Sequence, residues 1–139
     1  MARGSLASRG SEVTVLGVGL DLVAVPRVER LLERHGERAM ARLLTKSEWE
    51  YCSTRAAPAI HVAARLAAKE AAYKALTHDS ESRDIGWREV EVSRDDDGRP
   101  RLLLHGRAWD TAQRLAVRSS LVSLTHVSTH GAAVVVLLR

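Results

Sequence analysis

Apolar positions divide the start of the chain into a strand and a helix. Residues 13–23 are β-branched and apolar, and they predict a buried strand whose two glycines permit close approach of another backbone. Pro26 suits the first turn of a helix, and the spacing of apolar residues after it predicts that this helix continues to about Arg42.

Three further helices and two hairpins complete the predicted fold. Thr45 and Glu48 form a capping-box pattern, which marks the start of a short helix. Alternating residues on both sides of Asp97-Gly98 predict a hairpin. The other elements are a long helix over about residues 60–76, a helix over about residues 107–116, and a final hairpin of residues 121–126 and 132–138. The fold class is therefore α+β, with a largely antiparallel sheet packed against a long helix.

The length and composition fit one domain. The chain has 139 residues, and no apolar run approaches the ~20 residues that a membrane helix needs, so no membrane partner is expected. Residues 1–12 are small and polar and predict a disordered tail before a domain over residues 13–139. Cys52 is the single cysteine, which excludes an internal disulfide and favours a cytoplasmic protein.

Positive charge is concentrated on the first predicted helix. The formal net charge of +4 favours an acidic partner or an anionic ligand. No aromatic residues for base stacking are interleaved with this basic stretch, so nucleic acid is not expected as a partner. The alternative is a solvated helix face, as most charge runs are. The arginines on this face are Arg27, Arg30, Arg34 and Arg38.

The long helix has an unusual arrangement of charge. Arg65 and Lys69 are four residues apart, so two like charges share one face and repel by a few tenths of a kcal/mol. Small alanines and the neighbouring Glu70 surround them, which favours close approach of an anion and a metal ion. The alternative is an ordinary packing helix in which Glu70 and Lys74 form a salt bridge.

Asp21 is the second unusual position, because an unpaired carboxylate is costly to bury in an apolar strand. Asp21 and Glu70 are a plausible pair of oxygen ligands for Mg²⁺, which takes one or two protein carboxylates and completes its shell with phosphate and water. The alternative for Asp21 is a structural cap of the turn after the strand. His126 ends a predicted strand and is a further candidate site residue. The alternative interpretation is a histidine that makes only structural hydrogen bonds at the end of the strand.

Five segments together resemble the motifs of the holo-acyl-carrier-protein synthases, the small bacterial type of 4′-phosphopantetheinyl transferase. The lysine–glutamate–alanine helix combined with an upstream glycine–x–aspartate is far more specific than either motif alone. The resemblance extends from about Val15 to Leu138. The segments are residues 17–23, 44–48, 64–71, 97–100 and 122–126.

The resemblance implies a site that binds coenzyme A and a metal ion. It implies that Asp21 and Glu70 bind Mg²⁺, which also holds the pyrophosphate of coenzyme A. It implies that Arg65 and Lys69 line the phosphate region, with Lys74 one turn further along. It also implies that the strand-end histidine, His126, and the turn motif belong to the coenzyme A site. The turn motif consists here of Gly98, Arg99 and Pro100.

The same resemblance implies the reaction and the assembly. A serine of an acidic apo acyl carrier protein attacks the β-phosphate of coenzyme A and 3′,5′-ADP leaves; Glu70 is our candidate base, and Lys69 adds positive charge. The four arginines of the first helix are expected to meet the carrier protein, from a fatty-acid, polyketide or peptide pathway. Members of this family are typically homotrimers with sites between subunits. The alternative function is a non-catalytic basic module that binds an acidic carrier protein.

The chain departs from the family pattern after the long helix. A glycine-rich turn that accommodates phosphate is common there, whereas this chain has Thr77-His78-Asp79-Ser80. We therefore expect altered phosphate contacts in that loop, because Asp79 repels an anion.

Overall fold

The computed structural model describes residues 12–77 and 84–139, and its elements follow the predicted order. The predicted tail lies outside the described residues except for Glu12, and so do His78, Asp79 and Ser80. None of the helices in the described ranges is long and apolar enough to cross a membrane. The elements are β1 (Val15–Ala24), α1 (Val25–Leu43), α2 (Lys46–Ser53), α3 (Pro58–Leu76), a 3₁₀ turn (Trp87–Glu89), β2 (Val90–Arg94), β3 (Pro100–Leu104), α4 (Gly106–Arg114), β4 (Ser119–His126) and β5 (His130–Leu138).

The strands form two antiparallel groups. A three-stranded sheet has the order β1–β5–β4, and β2 pairs with β3 in a separate hairpin. The register of the larger sheet places Asp21 opposite Ala133 and His126 opposite Gly131. The α+β fold with a largely antiparallel sheet is thus confirmed.

Helix α3 packs along one face of the sheet, where small residues bring the two backbones together. Its alanines from Ala63 to Ala75 are almost completely buried. Gly19 of β1 faces this helix, and a Cβ atom placed on it would lie 1.7 Å from the carbonyl oxygen of Ala71. Only glycine fits at this contact, as the sequence predicted.

The opposite face of the sheet exposes apolar side chains. Val18, Leu20 and Leu22 alternate with buried positions along β1 and are each more than half exposed. The register places Val18 beside Val136, which in turn lies opposite the exposed Leu121 of β4, so the apolar positions are contiguous. Monomeric proteins rarely expose an apolar patch of this kind.

Helix α1 is interrupted at Gly36, so the prediction of one continuous helix was wrong at this residue. Gly36 has φ 54° and ψ −142°, a conformation that residues with a Cβ rarely adopt. The helix resumes beyond it and carries Arg38 and Arg42. The arginines before and after Gly36 therefore do not share one uninterrupted helical face.

Candidate functional site

Asp21 and Glu70 line the same cavity. β1 presents Asp21 on the side that faces α3, and Glu70 lies on the part of α3 that is nearest to α1 and β1. The cavity has a volume of about 340 Å³, and Arg27 and Trp87 also line it. We call Asp21, Glu70, Lys74 and Arg27 the carboxylate cleft.

The charges of the carboxylate cleft are closely balanced. Burial, and then the charge of Asp21, raise the pKa of Glu70, while Lys74 and Arg27 oppose the shift. The Lys74 ammonium donates to Asp21 Oδ1 at 2.9 Å and to the Leu20 carbonyl oxygen at 3.1 Å. Lys74 therefore pairs with Asp21, and not with Glu70 as the alternative interpretation of the helix expected.

This donor set fits a hard divalent cation. Two neighbouring carboxylates repel one another, and a cation between them offsets this repulsion. The described residues contain no group of three or more His, Cys, Asp or Glu side chains that would hold a metal ion. A Mg²⁺ ion held by Asp21 and Glu70 would take its remaining ligands from phosphate and water, as Mg²⁺ commonly does.

A second group, which includes the predicted residue Arg65, surrounds Tyr51 of α2. The guanidinium carbons of Arg55 and Arg65 each lie 4.1 Å from the centroid of its ring, and that of Arg94 lies 4.8 Å away. Arg65 is 4% exposed, and its Nε atom has no hydrogen-bond partner among the described residues. We call Tyr51, Arg55, Arg65 and Arg94 the arginine cluster.

His126 joins the arginine cluster through a second histidine. Its ring centroid lies 5.5 Å from that of His61, which in turn lies 6.0 Å from that of Tyr51. Burial lowers the pKa of His61, and the positive charges of His126 and Arg65 lower it further. His61 and Tyr51 therefore link His126 to Arg65, and the place of both in a coenzyme A site stays a prediction.

The predicted turn motif also connects to this cluster. Arg94 Nη1 donates to the carbonyl oxygen of Gly98 at 2.9 Å. The backbone N–H of Arg99 donates to Asp95 Oδ1 at 2.8 Å, which fixes the turn, and Pro100 begins β3. Gly98, Arg99 and Pro100 thus follow directly from the strand that supplies Arg94.

Lys69, which was predicted to line the phosphate region, belongs to neither group. Its side chain is 2% exposed, and its ammonium lies 2.8 Å from Glu48 Oε2. It also donates to the carbonyl oxygens of Trp87, at 2.9 Å, and Val90. Burial lowers the pKa of Lys69, and the charge of Glu48 opposes that shift. An ammonium has three N–H donors, so none remains for a phosphate in this arrangement.

The two groups lie on different sides of α3. Arg65 and Glu70 are five residues apart, which corresponds to about 140° around an α-helix. Arg65 faces Tyr51 of α2, whereas Glu70 faces Asp21 of β1. The sequence-based expectation that Arg65 supplies charge beside the carboxylates is therefore not met within one subunit.

The family model described as the 4′-phosphopantetheinyl transferase superfamily matches residues 17–135. The chain belongs to this superfamily. The predicted family is thus confirmed, and both the carboxylate cleft and the arginine cluster lie within the matched residues.

Individual members of the superfamily are similar over nearly their full length. A holo-[acyl-carrier-protein] synthase of Alkalilimnicola ehrlichii is 45% identical over 126 residues, covering 88% of this chain and 96% of the relative. The structure of the Mycobacterium tuberculosis acyl carrier protein synthase is 37% identical, with a TM-score of 0.64 and coverage of 89% and 97% of the two chains. A Bacillus anthracis holo-(acyl-carrier-protein) synthase, solved in complex with CoA (3′,5′-ADP), is 27% identical with a TM-score of 0.70 and coverage of 90% and 97%.

A groove beside the carboxylate cleft is lined by some of the arginines of α1 but not by others. Its volume is about 600 Å³, and its apolar floor includes Leu31 and Trp87. Arg27, Arg38 and Arg42 line it, whereas Arg30 and Arg34 are exposed outside it. We call this the basic groove.

Sequence reasoning missed Glu48, Tyr51, Arg55 and Arg94 of the site in this transferase-family chain. Glu48 was assigned only to a capping box, which the structure contains, but its carboxylate also binds Lys69. Tyr51 and Arg55 carried no signal except their proximity to the predicted helix. Arg55 lies just beyond the end of α2, so helical spacing does not account for its contact with Tyr51.

Proposed function

We propose that the protein transfers 4′-phosphopantetheine from coenzyme A to a serine of an apo acyl carrier protein. The products are the holo carrier protein and 3′,5′-ADP, and the reaction depends on Mg²⁺. The observation that carries this proposal is the shared cavity of Asp21 and Glu70 in a member of the superfamily. Relatives named holo-[acyl-carrier-protein] synthase, one of them solved with CoA, support the same reaction.

Asp21 and Glu70 would hold the Mg²⁺ ion. When bound there, Mg²⁺ supplies positive charge to the oxygens of the pyrophosphate. Lys74 then remains next to Asp21 as a second positive charge near the leaving oxygen. Because phosphoryl transfer depends mostly on alignment and charge, no nucleophile from the enzyme is required.

Glu70 is the proposed base for the serine proton. The serine oxygen forms a bond to the β-phosphorus of coenzyme A, and the bond from that phosphorus to the bridging oxygen breaks. The serine proton passes to the Glu70 carboxylate, and the electrons of the broken bond remain on 3′,5′-ADP. Glu70 shares its cavity with Asp21, so its carboxylate lies beside the proposed metal site and the reacting phosphate, which supports this role.

The arginine cluster is the proposed binding region for further anionic groups of coenzyme A. Three guanidinium groups around one ring provide planar donors that match phosphate oxygens. The unpartnered Nε of Arg65 supports an additional acceptor at this place. His126 and the turn at Gly98 would complete the same region.

We propose a homotrimer in which neighbouring subunits complete each site. The exposed apolar face of the sheet supports burial against another copy of the chain. The separation of the cleft and the cluster around α3 supports a site assembled from two subunits. A Leu20→Asp variant is expected to be monomeric by light scattering and to lose transfer activity.

Carrier protein is proposed to dock at the basic groove. Its acidic helix would lie against Arg27 and Arg38, while Arg30 and Arg34 attract it from the surrounding surface. The apolar floor at Leu31 and Trp87 would accept an apolar side chain of that helix.

The test is incubation of apo carrier proteins with coenzyme A and Mg²⁺, followed by mass spectrometry. The expected result is a mass gain of one phosphopantetheine that disappears when a chelator removes the metal. Absence of this gain with fatty-acid, polyketide and peptide carrier proteins would refute transferase activity. Binding of the carrier protein without a mass gain would favour the non-catalytic module.

A further inference from the structure

Glu48 and Lys69 form a buried ion pair that joins three elements. Glu48 is 1% exposed, and its Oε2 accepts from Lys69 and from the backbone N–H of Thr45, each at 2.8 Å. Its Oε1 accepts from the backbone N–H of Val92 at 2.7 Å. The pair thereby connects the start of α2, the middle of α3 and the beginning of β2.

Through Lys69, the pair also holds the main chain of Trp87. The Lys69 ammonium binds the carbonyl oxygen of Trp87, the first residue of the 3₁₀ turn, and that of Val90, the first residue of β2. Glu89 binds the backbone N–H groups of Gly86 and Arg107 and so fixes the same turn from its other side. Trp87 is therefore positioned by its backbone, independently of what its indole touches.

The Trp87 side chain lies where the site cavities meet. It lines the cavity of the carboxylate cleft and the basic groove. It also lines a third cavity of about 210 Å³ beside Lys69 and Glu70. Trp87 thus lies at the boundary between the proposed transfer site and the proposed carrier groove, a boundary to which Arg27, Leu31 and Leu43 also contribute.

Stability alone does not account for this ion pair. Removing two charges from water costs several kcal/mol per ion, and an apolar pair of similar volume is often equally or more stable. A fully hydrogen-bonded buried pair instead fixes one geometry, because each partner has few other satisfied arrangements.

We propose that the Glu48–Lys69 pair positions Trp87 as part of the wall shared by the carboxylate cleft and the basic groove, and that Lys69 acts in transfer through this wall instead of by touching phosphate. The kinetic part of this inference rests on the proposed function. Lys69 is therefore a positioning residue, although its neighbour Glu70 belongs to the carboxylate cleft.

The kinetic test compares Glu48→Gln with Lys69→Met. Because misplacing a wall by about 1 Å can cost roughly a hundredfold in rate, both variants are expected to lower kcat by about ten- to a hundredfold. Both are expected to change the Kd of coenzyme A by less than about threefold, since no phosphate contact is lost. A rise of about tenfold or more in this Kd for Lys69→Met, with Glu48→Gln unchanged, would overturn the inference in favour of a direct phosphate contact.

A spectroscopic test does not depend on activity. In a background in which Trp49 and Trp109 are replaced by Phe, Glu48→Gln and Lys69→Met are each expected to shift Trp87 emission to the red and to increase its quenching by acrylamide. Lys46→Met removes only the exposed pair with Glu50, at 3.8 Å, and serves as the matched control without a shift. Unchanged Trp87 emission in folded variants would refute the inference even if the wild-type protein has no transferase activity.

Two additional variants keep the test decisive if Lys69→Met does not fold. The double variant Glu48→Leu/Lys69→Met replaces the pair by apolar residues and should regain thermal stability but not kcat. Trp87→Ala leaves the ion pair intact and should reproduce the fall in kcat. Wild-type kcat in Trp87→Ala would refute the role of the wall.

Discussion

The carboxylate cleft and the arginine cluster both include residues of α3, but they differ in the charges that they bring together. The cleft places carboxylates and cations side by side, so that Asp21 already has an ammonium partner. The cluster collects three guanidinium groups around Tyr51, and one buried guanidinium nitrogen has no hydrogen-bond acceptor among the described residues. The cleft is therefore suited to exchange protons and cations, and the cluster to hold an anion.

This difference predicts two kinds of kinetic defect. Groups that interact with charge developing in the transition state affect kcat, whereas groups that bind substrate equally throughout the reaction affect KM. We therefore expect substitutions in the carboxylate cleft to lower kcat, and substitutions in the arginine cluster to raise KM.

The largest effect is expected in the cleft. Asp21→Ala and Glu70→Ala should each lower kcat by about a thousandfold or more, because each removes a ligand of the proposed metal ion and a charge at the reacting phosphate. Transfer to carrier protein, followed by mass spectrometry, measures this effect.

The melting temperature serves as the control for these two variants. Removing one of two repelling carboxylates should leave it equal or slightly higher, because the remaining carboxylate loses an unfavourable neighbour. Activity within tenfold of wild type in either variant would contradict the metal-pair assignment.

A smaller effect, on KM instead of kcat, is expected from substitutions in the arginine cluster. Arg55→Gln should raise the KM for coenzyme A by about ten- to a hundredfold, the range for loss of a hydrogen bond to a charged group, with kcat nearly unchanged. Arg55 is exposed, so its replacement should not perturb folding as replacement of the buried Arg65 would. Steady-state kinetics at varied coenzyme A measures the split. If kcat falls while KM is unchanged, the distinction between the two regions fails.

Charge reversal in the basic groove tests whether these arginines promote association with carrier protein. Arg38→Glu should lower kcat/KM for carrier protein by about tenfold at low salt, and the matched variant Arg30→Glu, outside the groove, should lower it less. The affinity for coenzyme A should remain the same in both. Equal losses in the two variants would mean that α1 attracts carrier protein only through its total charge.

Cys52 is expected to give the smallest effect, although it lies beside the cluster. Arg65 and Arg55 favour its thiolate, but burial outweighs them and raises the pKa of its thiol to about 11. The thiol should therefore react slowly with a thiol reagent at pH 8 in the folded protein and quickly in denaturant. Fast labelling of the folded protein would show that the charge of the cluster outweighs burial.

Residues with strong local signals were predictable from the sequence. Asp21 stands out because a carboxylate is rare in an apolar strand, and Glu70 because a helix motif surrounds it. The capping box at Thr45 predicted the start of α2 correctly, since its hydrogen bonds join residues only three apart.

Long-range pairing was not predictable in the same way. Glu48 meets Lys69 only after α2 packs on α3, and neither residue indicates the other in the sequence. The like charges of Arg65 and Lys69 predicted an anionic ligand, whereas the anion beside Lys69 in the structure is the Glu48 carboxylate and Arg65 lies over Tyr51. The break at Gly36 was missed because one glycine costs a helix only about 1 kcal/mol, so the surrounding helix-forming residues dominated the prediction.

The contact between Gly19 and Ala71 sets the scale of the cleft. Gly19 lies two residues before Asp21, and Ala71 follows Glu70 directly, so the close backbone approach acts as a spacer between the two carboxylates. A single methyl group at position 19 would push β1 away from α3 and carry Asp21 with it. The absent side chain of one glycine therefore sets how closely β1 approaches α3 and, with it, how far apart these two carboxylates lie.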